Sequence, residues 1–286
     1  MTGHLTRIAE VRAGTVPAKV RYPTRVRAAV VLRTGMVGAG LVRVTLGGPG
    51  IDGFESHAPD EHVKLIFPEE DGSLRLPESD GDVLRWPRPA PTSREYTVRR
   101  YDPAGGELDI DIALHGAGGT EGLGAAWARS VRPGEIVHVA GPPGGLIVPH
   151  YDRYLLGGDI TALPAIARRL EELPRTARGW AFVEVADARE EIELNPPEGV
   201  EVRWLHHGAA APGAAGPLAD AVRSVEVPRD ERVYVWLAGE AGALKPLRRW
   251  VRDDLRLARA DYDITGYWKR GVTDFDEEDE HESARH

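Results

Sequence analysis

The hydrophobic rhythm of this chain changes near Pro149, and this change limits the possible folds more than any other feature. Between about Val26 and Val139, short segments alternate apolar with polar residues, as in ELDIDIAL at residues 107–114. A period of two residues indicates a half-buried antiparallel strand. Several such strands at short spacing, with many glycines and prolines between them, predict a barrel.

The part of the chain after Pro149 alternates apolar strands with amphipathic helices. The predicted strands are YLLGG at 154–158, WAFVEVA at 180–186, VEVRWL at 200–205 and VYVWLAG at 233–239. The predicted helices lie at 162–173, 217–225 and 243–255. Strands that alternate with helices indicate an open parallel sheet with crossover connections. We therefore expect domains at residues 1–149 and 150–272, followed by an acidic disordered tail at 273–286.

Composition removes several classes of function. The 286 residues include no cysteine, which excludes disulfides, thiolate nucleophiles and Cys-ligated metal sites. The adjacent pair His206 and His207 directly follows the predicted strand at 200–205, and neighbours on a strand point to opposite faces, so we expect no metal site. The net charge of −9 disfavours nucleic acid as a partner. Without a signal-like or membrane-spanning apolar run, we expect a cytoplasmic monomer that does not insert into membranes.

A predicted strand ahead of a hairpin turn carries Arg94-Glu95-Tyr96-Thr97. Alternation places Arg94 and Tyr96 on one face, with Glu95 and Thr97 on the other. The planar fork of an arginine suits a diphosphate, a tyrosine ring can stack on a flat cofactor, and a threonine hydroxyl can donate to a ring heteroatom. The same residue types also suit an ordinary exposed strand, and spacing alone leaves both interpretations open.

A glycine-rich segment at residues 115–124 follows the next predicted strand and leads into a predicted helix. Such a turn exposes backbone N–H groups and the positive end of the helix dipole, which favours phosphate. No lysine of the P-loop type follows, so a P-loop is not expected. A plain flexible loop is the alternative interpretation.

Together these segments resemble the siderophore-interacting proteins, which are relatives of the ferredoxin–NADP reductases. The run Arg94 to Arg99 resembles the flavin motif of that family, R-x-Y-T-x-R. The run from Gly122 to Ala128 resembles a G-P-A-S/A-x-W-A segment, from which Leu123 and Gly124 depart. Further segments match motifs of this family, in chain order, within residues 21–271. They are residues 133–135, 141–145, 158–166, 236–240 and 266–271. Pro143 replaces the usual arginine of the family, and Ile160 replaces its usual acid.

This resemblance implies a fold of the β plus α/β class. An N-terminal antiparallel six-stranded β-barrel flavin domain would be followed by an open parallel-sheet α/β domain that binds the nicotinamide cofactor. It also implies an FAD-dependent oxidoreductase that uses NADH or NADPH to reduce ferric siderophores and release ferrous iron in the cytoplasm. Two rival functions remain: a general NAD(P)H-flavin or ferredoxin-type reductase, and a siderophore-binding module without significant turnover.

The resemblance also assigns residues to cofactors, while the flavin itself carries the chemistry and no side chain is assigned a catalytic role. The flavin would lie among Arg94, Tyr96, Thr97, Asp111, Ile112, His115, Gly122, Gly124, Ala125 and Trp127. The nicotinamide cofactor would lie among Thr161, Ala162, Gly239 and Glu240. Plainer roles stay open for three of them: a turn cap for His115, a core position for Trp127 and a helix N-terminal charge for Glu240.

An acidic protein needs local positive charge if it is to bind an anionic ferric siderophore. Lys64 is the best candidate, since the family has a basic substrate pocket and the motif around Lys64 matches. Arg248 is the residue expected to compensate for Pro143, and Lys269 follows an aromatic pair. Each of these cations can equally be an ordinary solvated charge.

Residues after the strand at 180–186 bear on the choice between NADH and NADPH. An acid such as Glu184 or Asp187 can accept a hydrogen bond from a ribose 2′-hydroxyl and would repel a 2′-phosphate. Arg189 lies nearby and would have the opposite effect. The acids favour NADH.

Overall fold

The fold is taken from a computed structural model that describes residues 3–114, 122–208, 216–272 and 275. The predicted flavin residue His115 and nearly all of the predicted acidic tail lie outside these residues. The chain divides into two compact units, residues 1–149 and 150–286. Within the described ranges, no helix has both the length and the apolar character needed to cross a bilayer.

The first unit is built mainly from strands. Its elements are α1 (Gly3–Ala13), β1 (Ala18–Arg21), β2 (Val26–Val37), β3 (Leu41–Gly47), β4 (His62–Ile66), β5 (Glu78–Asp80), β6 (Val83–Arg85), β7 (Ser93–Asp102), β8 (Glu107–Ala113), α2 (Leu123–Ser130), β9 (Ile136–Ala140) and β10 (Gly144–Ile147), with a 3₁₀ turn at Pro49–Ile51. Six of the strands close into an antiparallel barrel in the order β2-β3-β8-β7-β4-β9. This confirms the predicted six-stranded barrel.

Alternating apolar side chains fill the barrel interior, as the period of two predicts. Each barrel strand contributes at least one side chain with no exposed surface: Val31, Val44, Leu65, Val98, Ile110 and Val139. Burying such a side chain is worth about 1.5–3 kcal/mol relative to leaving it exposed. The barrel is therefore a packed core, and ligands must bind at its outer face or its ends.

The outward face of β8 is polar yet buried. Asp109 accepts hydrogen bonds from Thr45 Oγ1 at 2.6 Å and from Arg100 Nε at 2.8 Å. Asp111 forms a two-pronged pair with Arg43, at 2.7 and 2.8 Å. The sequence predicted the two faces of β8 correctly, but the alternation pattern cannot show that arginines from neighbouring strands cover the acidic face.

The second unit is an open α/β layer structure. Its elements are β11 (Arg153–Asp159), α3 (Leu163–Glu172), β12 (Arg178–Val185), β13 (Gly199–His206), α4 (Pro217–Arg223), β14 (Val233–Glu240), α5 (Ala241–Arg249) and β15 (Tyr262–Trp268), with a π turn at Trp250–Asp254 and a 3₁₀ turn at Arg259–Asp261. Five parallel strands form a sheet in the order β13-β12-β11-β14-β15. This confirms the predicted parallel sheet, and it brings the carboxyl ends of β11, β14 and β15 together.

Several elements were missed or misjudged from the sequence. The edge strand β15 was not predicted, because its residues YDITGYW lack a clear apolar period. The predicted helix at 243–255 changes to a π turn after Arg249, downstream of Pro246, which has no N–H to donate. Helix α1 was also missed, because only Ile8 and Val11 of its 11 residues are buried, and the pair β1–β10 was missed because each strand has four residues.

Candidate cofactor sites

Two of the predicted motifs meet in the first unit. Tyr96 projects from β7, and its hydroxyl lies so close to Gly124 in helix α2 that a Cβ on Gly124 would overlap it. Burial raises the pKa of the Tyr96 hydroxyl to about 12, although Arg94 pulls it in the opposite direction. The hydroxyl forms no hydrogen bond with the residues that the structure describes. In this chain, the Tyr96 hydroxyl therefore occupies the space that a side chain at position 124 would need.

The start of helix α2 has the features expected of a diphosphate site. Gly122 is the N-cap residue and provides no side-chain cap, and the first turn contains no acidic residue. The first backbone N–H groups of a helix lack intrahelical partners and attract anions. Gly124 and Ala125 are buried in this turn, and Trp127 packs against the barrel core with its ring 5.7 Å from that of Phe67. Trp127 is therefore half-buried against the core, and its assignment to the flavin stays a prediction.

The other predicted flavin residues occupy two neighbouring strands. Thr97 is 6% exposed and pairs with His62 across β4 and β7, while Arg94 is half-buried. Ile112 points into the barrel core. Asp111 is held by Arg43, and Arg99 Nε lies 3.8 Å from it. Asp111 thus anchors cationic side chains on the outer face, a role compatible with positioning an arginine near a cofactor.

These residues fit an FAD molecule. FAD, when bound, accepts a hydride as a two-electron unit and passes electrons on singly. The chain's own contribution is binding and orientation: Arg94 offers a charged fork, Tyr96 an aromatic surface, and the uncapped turn at Gly122 a set of N–H donors. No protein acid or base is required for that chemistry.

Lys64 lies on the exposed side of the barrel, beside β7. Its Nζ is 3.0 Å from Glu95 Oε1 and lies 5.6 Å from the centre of the Trp86 ring. His62 is on the same face, 3.8 Å from Glu95. Burial on its own would raise the pKa of the Glu95 carboxyl, but His62 and Lys64 outweigh it and the pKa is lowered. The carboxylate is therefore ionised at neutral pH and offsets part of the charge of Lys64.

A buried carboxylate organises the second unit. Asp159 ends β11 and is 6% exposed. It accepts hydrogen bonds from Thr161 N–H at 2.9 Å, Thr161 Oγ1 at 2.5 Å, Glu240 N–H at 2.9 Å and Trp268 Nε1 at 2.8 Å. Burial raises the pKa of this carboxyl, while the hydrogen bonds oppose the rise. Asp159 thus ties the ends of β11, β14 and β15 together.

Sequence reasoning did not assign Asp159 or Trp268 to the site. The available signal was an acid directly after a buried apolar strand, in YLLGGD, since the carboxyl ends of parallel strands are where such sheets bind ligands. Trp268 gave no comparable signal, because its role depends on an indole N–H that reaches another strand.

The predicted nicotinamide residues surround this carboxylate. Ala162 precedes helix α3 and is fully buried. Gly239 has a φ of 140°, and a side chain there would collide with Asp159, so only glycine fits. Glu240 caps α5 by accepting from Ala243 N–H at 2.7 Å, and it also accepts from Arg270 N–H at 3.2 Å. The helix N-terminal role left open for Glu240 is the one that the structure displays.

The remaining predicted cations of the second unit contact the protein itself. Arg248 donates to the Ile264 carbonyl from Nε at 3.3 Å and from Nη2 at 3.0 Å. Lys269 Nζ lies 5.9 Å from the centre of the Phe275 ring. Arg248 stabilises β15 from helix α5, and its assignment to the substrate stays a prediction, as does that of Lys269.

The acids at the end of β12 differ in their surroundings. Glu184 is 4% exposed, and its Oε2 accepts from Leu218 N–H in the first turn of α4 at 3.2 Å. Asp187 pairs with the exposed Arg189 at 2.6 Å, and this hydrogen bond lowers the pKa of the Asp187 carboxyl to about 2. Asp187 and Arg189 are therefore more accessible than Glu184 at the end of this strand.

Comparison with known proteins agrees with this architecture. Residues 30–146 match the model for the siderophore-interacting FAD-binding domain, and residues 151–271 match that for the siderophore-interacting protein. The ferric vibriobactin reductase ViuB of Vibrio cholerae is 36% identical over 245 residues, or 84% of this chain and 88% of the relative. The NADPH-dependent ferric-chelate reductase of Escherichia coli is 36% identical over 238 residues, or 82% and 89%.

Solved structures give the same result. The crystal structure of a siderophore utilization protein from T. fusca has a TM-score of 0.85 and 42% sequence identity, covering 92% of this chain and 99% of that one. Sequence and fold similarity therefore extend over both units. On these grounds, the chain belongs to the siderophore-interacting protein family.

Proposed function

We propose that this protein is an FAD-dependent oxidoreductase that uses NAD(P)H to reduce ferric siderophores. The first unit binds FAD and the second unit binds the nicotinamide cofactor. Relatives that are 36% identical over most of their length are a ferric vibriobactin reductase and an NADPH-dependent ferric-chelate reductase. Ferric iron arrives enclosed by its siderophore and leaves as ferrous iron after one electron is transferred.

The observation that carries this proposal is the meeting of Tyr96 with the uncapped start of α2 at Gly124. Both residues lie inside the range 30–146 that matches the FAD-binding domain. An aromatic ring beside a helix start without a side-chain cap provides the two surfaces that FAD needs, one for its flat ring and one for its diphosphate.

The experiment is anaerobic stopped-flow spectroscopy of the purified, FAD-loaded protein. NADPH or NADH should bleach the flavin absorbance near neutral pH, and a ferric siderophore should restore it while a ferrous chelator gains colour. Protein that takes up no FAD contradicts the proposal. A flavin that is reoxidised faster by quinone, ferredoxin or free flavin than by any ferric siderophore favours the general reductase instead.

We also propose that the enzyme acts in the cytoplasm as a monomer. The reductant NAD(P)H is a cytoplasmic metabolite, which supports the location. Fractionation of cells followed by immunoblotting tests the location, and light scattering coupled to size-exclusion chromatography tests the monomer. An immunoblot signal outside the cytoplasmic fraction would contradict the location, and a mass of twice 31.2 kDa would contradict the monomer.

The preference for NADH over NADPH stays a prediction. Glu184 already accepts from Leu218 N–H, so selection against a 2′-phosphate rests on Asp187. Asp187 is neutralised by Arg189, which weakens that selection. Comparison of kcat/KM for the two cofactors tests the preference, and Asp187→Asn should shift the ratio toward NADPH. A ratio already in favour of NADPH in the unmodified protein overturns it.

A further inference from the structure

Two histidines and a glutamate meet beside helix α1, and none of them belongs to the cofactor residues described above. One donor atom from each of His4, Glu55 and His57 lies within 4.8 Å of the other two. His4 Nε2 is 2.7 Å and His57 Nε2 is 3.7 Å from the same atom, Glu55 Oε2. We propose that these three side chains bind a zinc ion, which fastens helix α1 to the first unit.

The spacing of the donor atoms suits zinc. Zinc binds imidazole nitrogen and carboxylate oxygen at about 2.0–2.2 Å in a tetrahedral arrangement, which separates the ligand atoms by roughly 3.3 Å. The two observed separations of 2.7 and 3.7 Å lie on either side of that value. The third pair of donor atoms, from His4 and His57, lies within 4.8 Å, so side-chain rotations have to bring the three atoms to equal separations. The side chains are 12% exposed for His4, 37% for Glu55 and 22% for His57, so an ion and a water ligand can reach them.

His57 supplies an independent observation. Its Nε2 is buried and has no hydrogen-bond partner within the described part of the chain. A buried polar atom without a partner destabilises the folded state. Zinc would give this nitrogen a bond in the position where the structure places it.

The backbone around His57 is held in place before any metal binds. The His57 N–H donates to Glu61 Oε2 at 2.8 Å, and Arg12 Nη2, from helix α1, donates to the His57 carbonyl at 2.7 Å. The Tyr22 ring lies 5.4 Å from the His4 ring and 5.3 Å from the His57 ring. The imidazoles are therefore positioned by their neighbours, as metal ligands usually are.

The charges near the cluster also favour a cation. A divalent ion with two neutral imidazoles and one carboxylate leaves one positive charge. The Glu61 carboxylate, 2% exposed and hydrogen-bonded to the His57 backbone, offsets it. Arg12 is the opposing charge, but it is exposed and directed at a carbonyl oxygen, so solvent screens it.

Helix α1 needs such an anchor. It has 11 residues, and only Ile8 and Val11 are buried, in a small cluster with Val20, Ala58 and Ile147. A helix of this length is marginal without tertiary contacts. His4, Ile8 and Val11 are spaced by four and three residues, so they share one face, and the metal would fix the first turn of that face.

This proposal revises the expectation that the protein binds no metal. That expectation rested on the neighbours His206 and His207, which are adjacent in the sequence. The zinc ligands His4 and Glu55 are instead 51 residues apart, and only the folded chain brings them together.

The test is a titration of the metal-free, FAD-loaded full-length protein with Zn²⁺ alone, followed by calorimetry and by metal analysis after dialysis. We expect one tight equivalent in the unmodified protein and its loss in His57→Ala and in His4→Gln. The matched control is His206→Ala. His206 also pairs with a glutamate, Glu191, at 2.7 Å, but this pair belongs to no three-residue cluster of donor atoms among the described residues. The variant His206→Ala should therefore still bind one equivalent of zinc.

A second readout separates metal binding from the His4–Glu55 contact that exists without metal. At zinc about 100-fold above its Kd, the thermal midpoint of the unmodified protein should rise by roughly 5–10 °C, and cleavage near the N-terminus should slow. His57→Ala keeps the His4–Glu55 pair, so it should fold and bind FAD normally while showing no zinc-dependent shift. Absence of a stoichiometric site, or an equal zinc-dependent shift in His57→Ala, overturns the proposal. Neither result depends on whether the protein reduces ferric siderophores.

Discussion

The two units hold their candidate cofactor residues by different physical means. In the first unit, the end of the Tyr96 side chain fills the space over Gly124, so shape fixes the contact. In the second unit, the buried Asp159 accepts hydrogen bonds from Thr161, Glu240 and Trp268, so hydrogen-bonding capacity fixes the site. The first site should therefore be sensitive to side-chain volume, and the second to the loss of acceptor atoms.

The largest effect is expected for Asp159→Ala. The substitution leaves a buried donor from Glu240 and half-buried donors from Thr161 and Trp268 without an acceptor, and a buried donor without an acceptor costs about 1–3 kcal/mol. The free energy of unfolding should fall by about 3 kcal/mol or more. Urea unfolding followed by far-UV circular dichroism measures this loss, and the rate of flavin reduction by NAD(P)H should fall with it.

Asp159→Asn is the matched control, because it keeps the volume and one oxygen. It should lose less stability than Asp159→Ala, since only part of the acceptor capacity is removed. Equal stability of both variants and the unmodified protein would show that these hydrogen bonds do not hold the second site.

The next effect belongs to the contact between Tyr96 and Gly124. A methyl group in Gly124→Ala overlaps the Tyr96 hydroxyl and must displace the ring or the helix start. We expect FAD affinity to fall at least about tenfold, a cost of about 1.4 kcal/mol. Tyr96→Phe alone should have a smaller effect, because the hydroxyl makes no hydrogen bond with described residues. Fluorescence titration of the FAD-free protein measures both affinities.

The double variant Gly124→Ala, Tyr96→Phe completes a double-mutant cycle with the two single variants. Removing the hydroxyl relieves the worst overlap, so the double variant should regain much of the FAD affinity that Gly124→Ala loses. Strictly additive losses would mean that shape at this contact does not control FAD binding.

The sequence predicted the architecture well because both hydrophobic periods are strong. The alternation in β8 and the strand–helix order after Pro149 depend only on local composition, and both are confirmed. The edge strand β15 was missed because one face of an edge strand needs few apolar residues.

The sites were predictable to a lesser degree, for a physical reason. Family motifs located Tyr96, Gly124 and Glu240, but not the partner that each side chain selects in three dimensions. The Asp159–Trp268 hydrogen bond joins residues 109 positions apart, and Glu95 opposes Lys64 only through the register of β4 and β7. Such pairings depend on tertiary structure, so no local pattern encodes them.

A smaller effect is expected for Lys64→Ala. Glu95 already offsets part of the Lys64 charge, so KM for an anionic ferric siderophore should rise only about threefold at low salt, with FAD content unchanged. The increase should shrink as salt rises, since exposed charges are screened over about 10 Å at 0.1 M. Steady-state assays at several salt concentrations measure this.

Two further variants sharpen the interpretation of Lys64. Glu95→Gln releases the Lys64 charge from its partner and should lower KM for the same siderophore. Lys19→Ala removes an exposed lysine on β1 and should leave KM unchanged. Unchanged kinetics in Lys64→Ala at low salt would make Lys64 an ordinary surface charge and place the substrate site elsewhere.

The smallest effect contrasts two carboxyl groups, one in each unit, whose pKa values move in opposite directions. Burial raises the pKa of Asp159, whereas the hydrogen bond from Arg33, aided by Arg100, lowers that of Glu107 from 4.5 to about 2. A carboxyl with a lowered pKa binds fewer protons when folded, so its stabilising contribution exists above about pH 4.5 and is lost as the pH falls toward 2. The contribution of Asp159 to stability changes with pH in the opposite direction, because the folded state holds the proton of this carboxyl more tightly than the unfolded state does. This contribution falls as the pH rises from the pKa of the unfolded state to that of the folded state.

Glu107→Gln removes the first of these contributions. The thermal midpoint of the variant should lie slightly below that of the unmodified protein at pH 6, and the difference should shrink as the pH is lowered from about 4.5 toward 3. Glu70→Gln, at an exposed position with no ion pair among the described residues, serves as the control and should show no such dependence. The ion pairs that Glu107 forms with Arg33 and Arg100 lie at the surface and are screened by salt. The difference in thermal midpoint between Glu107→Gln and the unmodified protein should therefore also shrink in 0.5 M salt. A difference that is constant from pH 6 to pH 3 would mean that the Glu107 network contributes through packing rather than through charge.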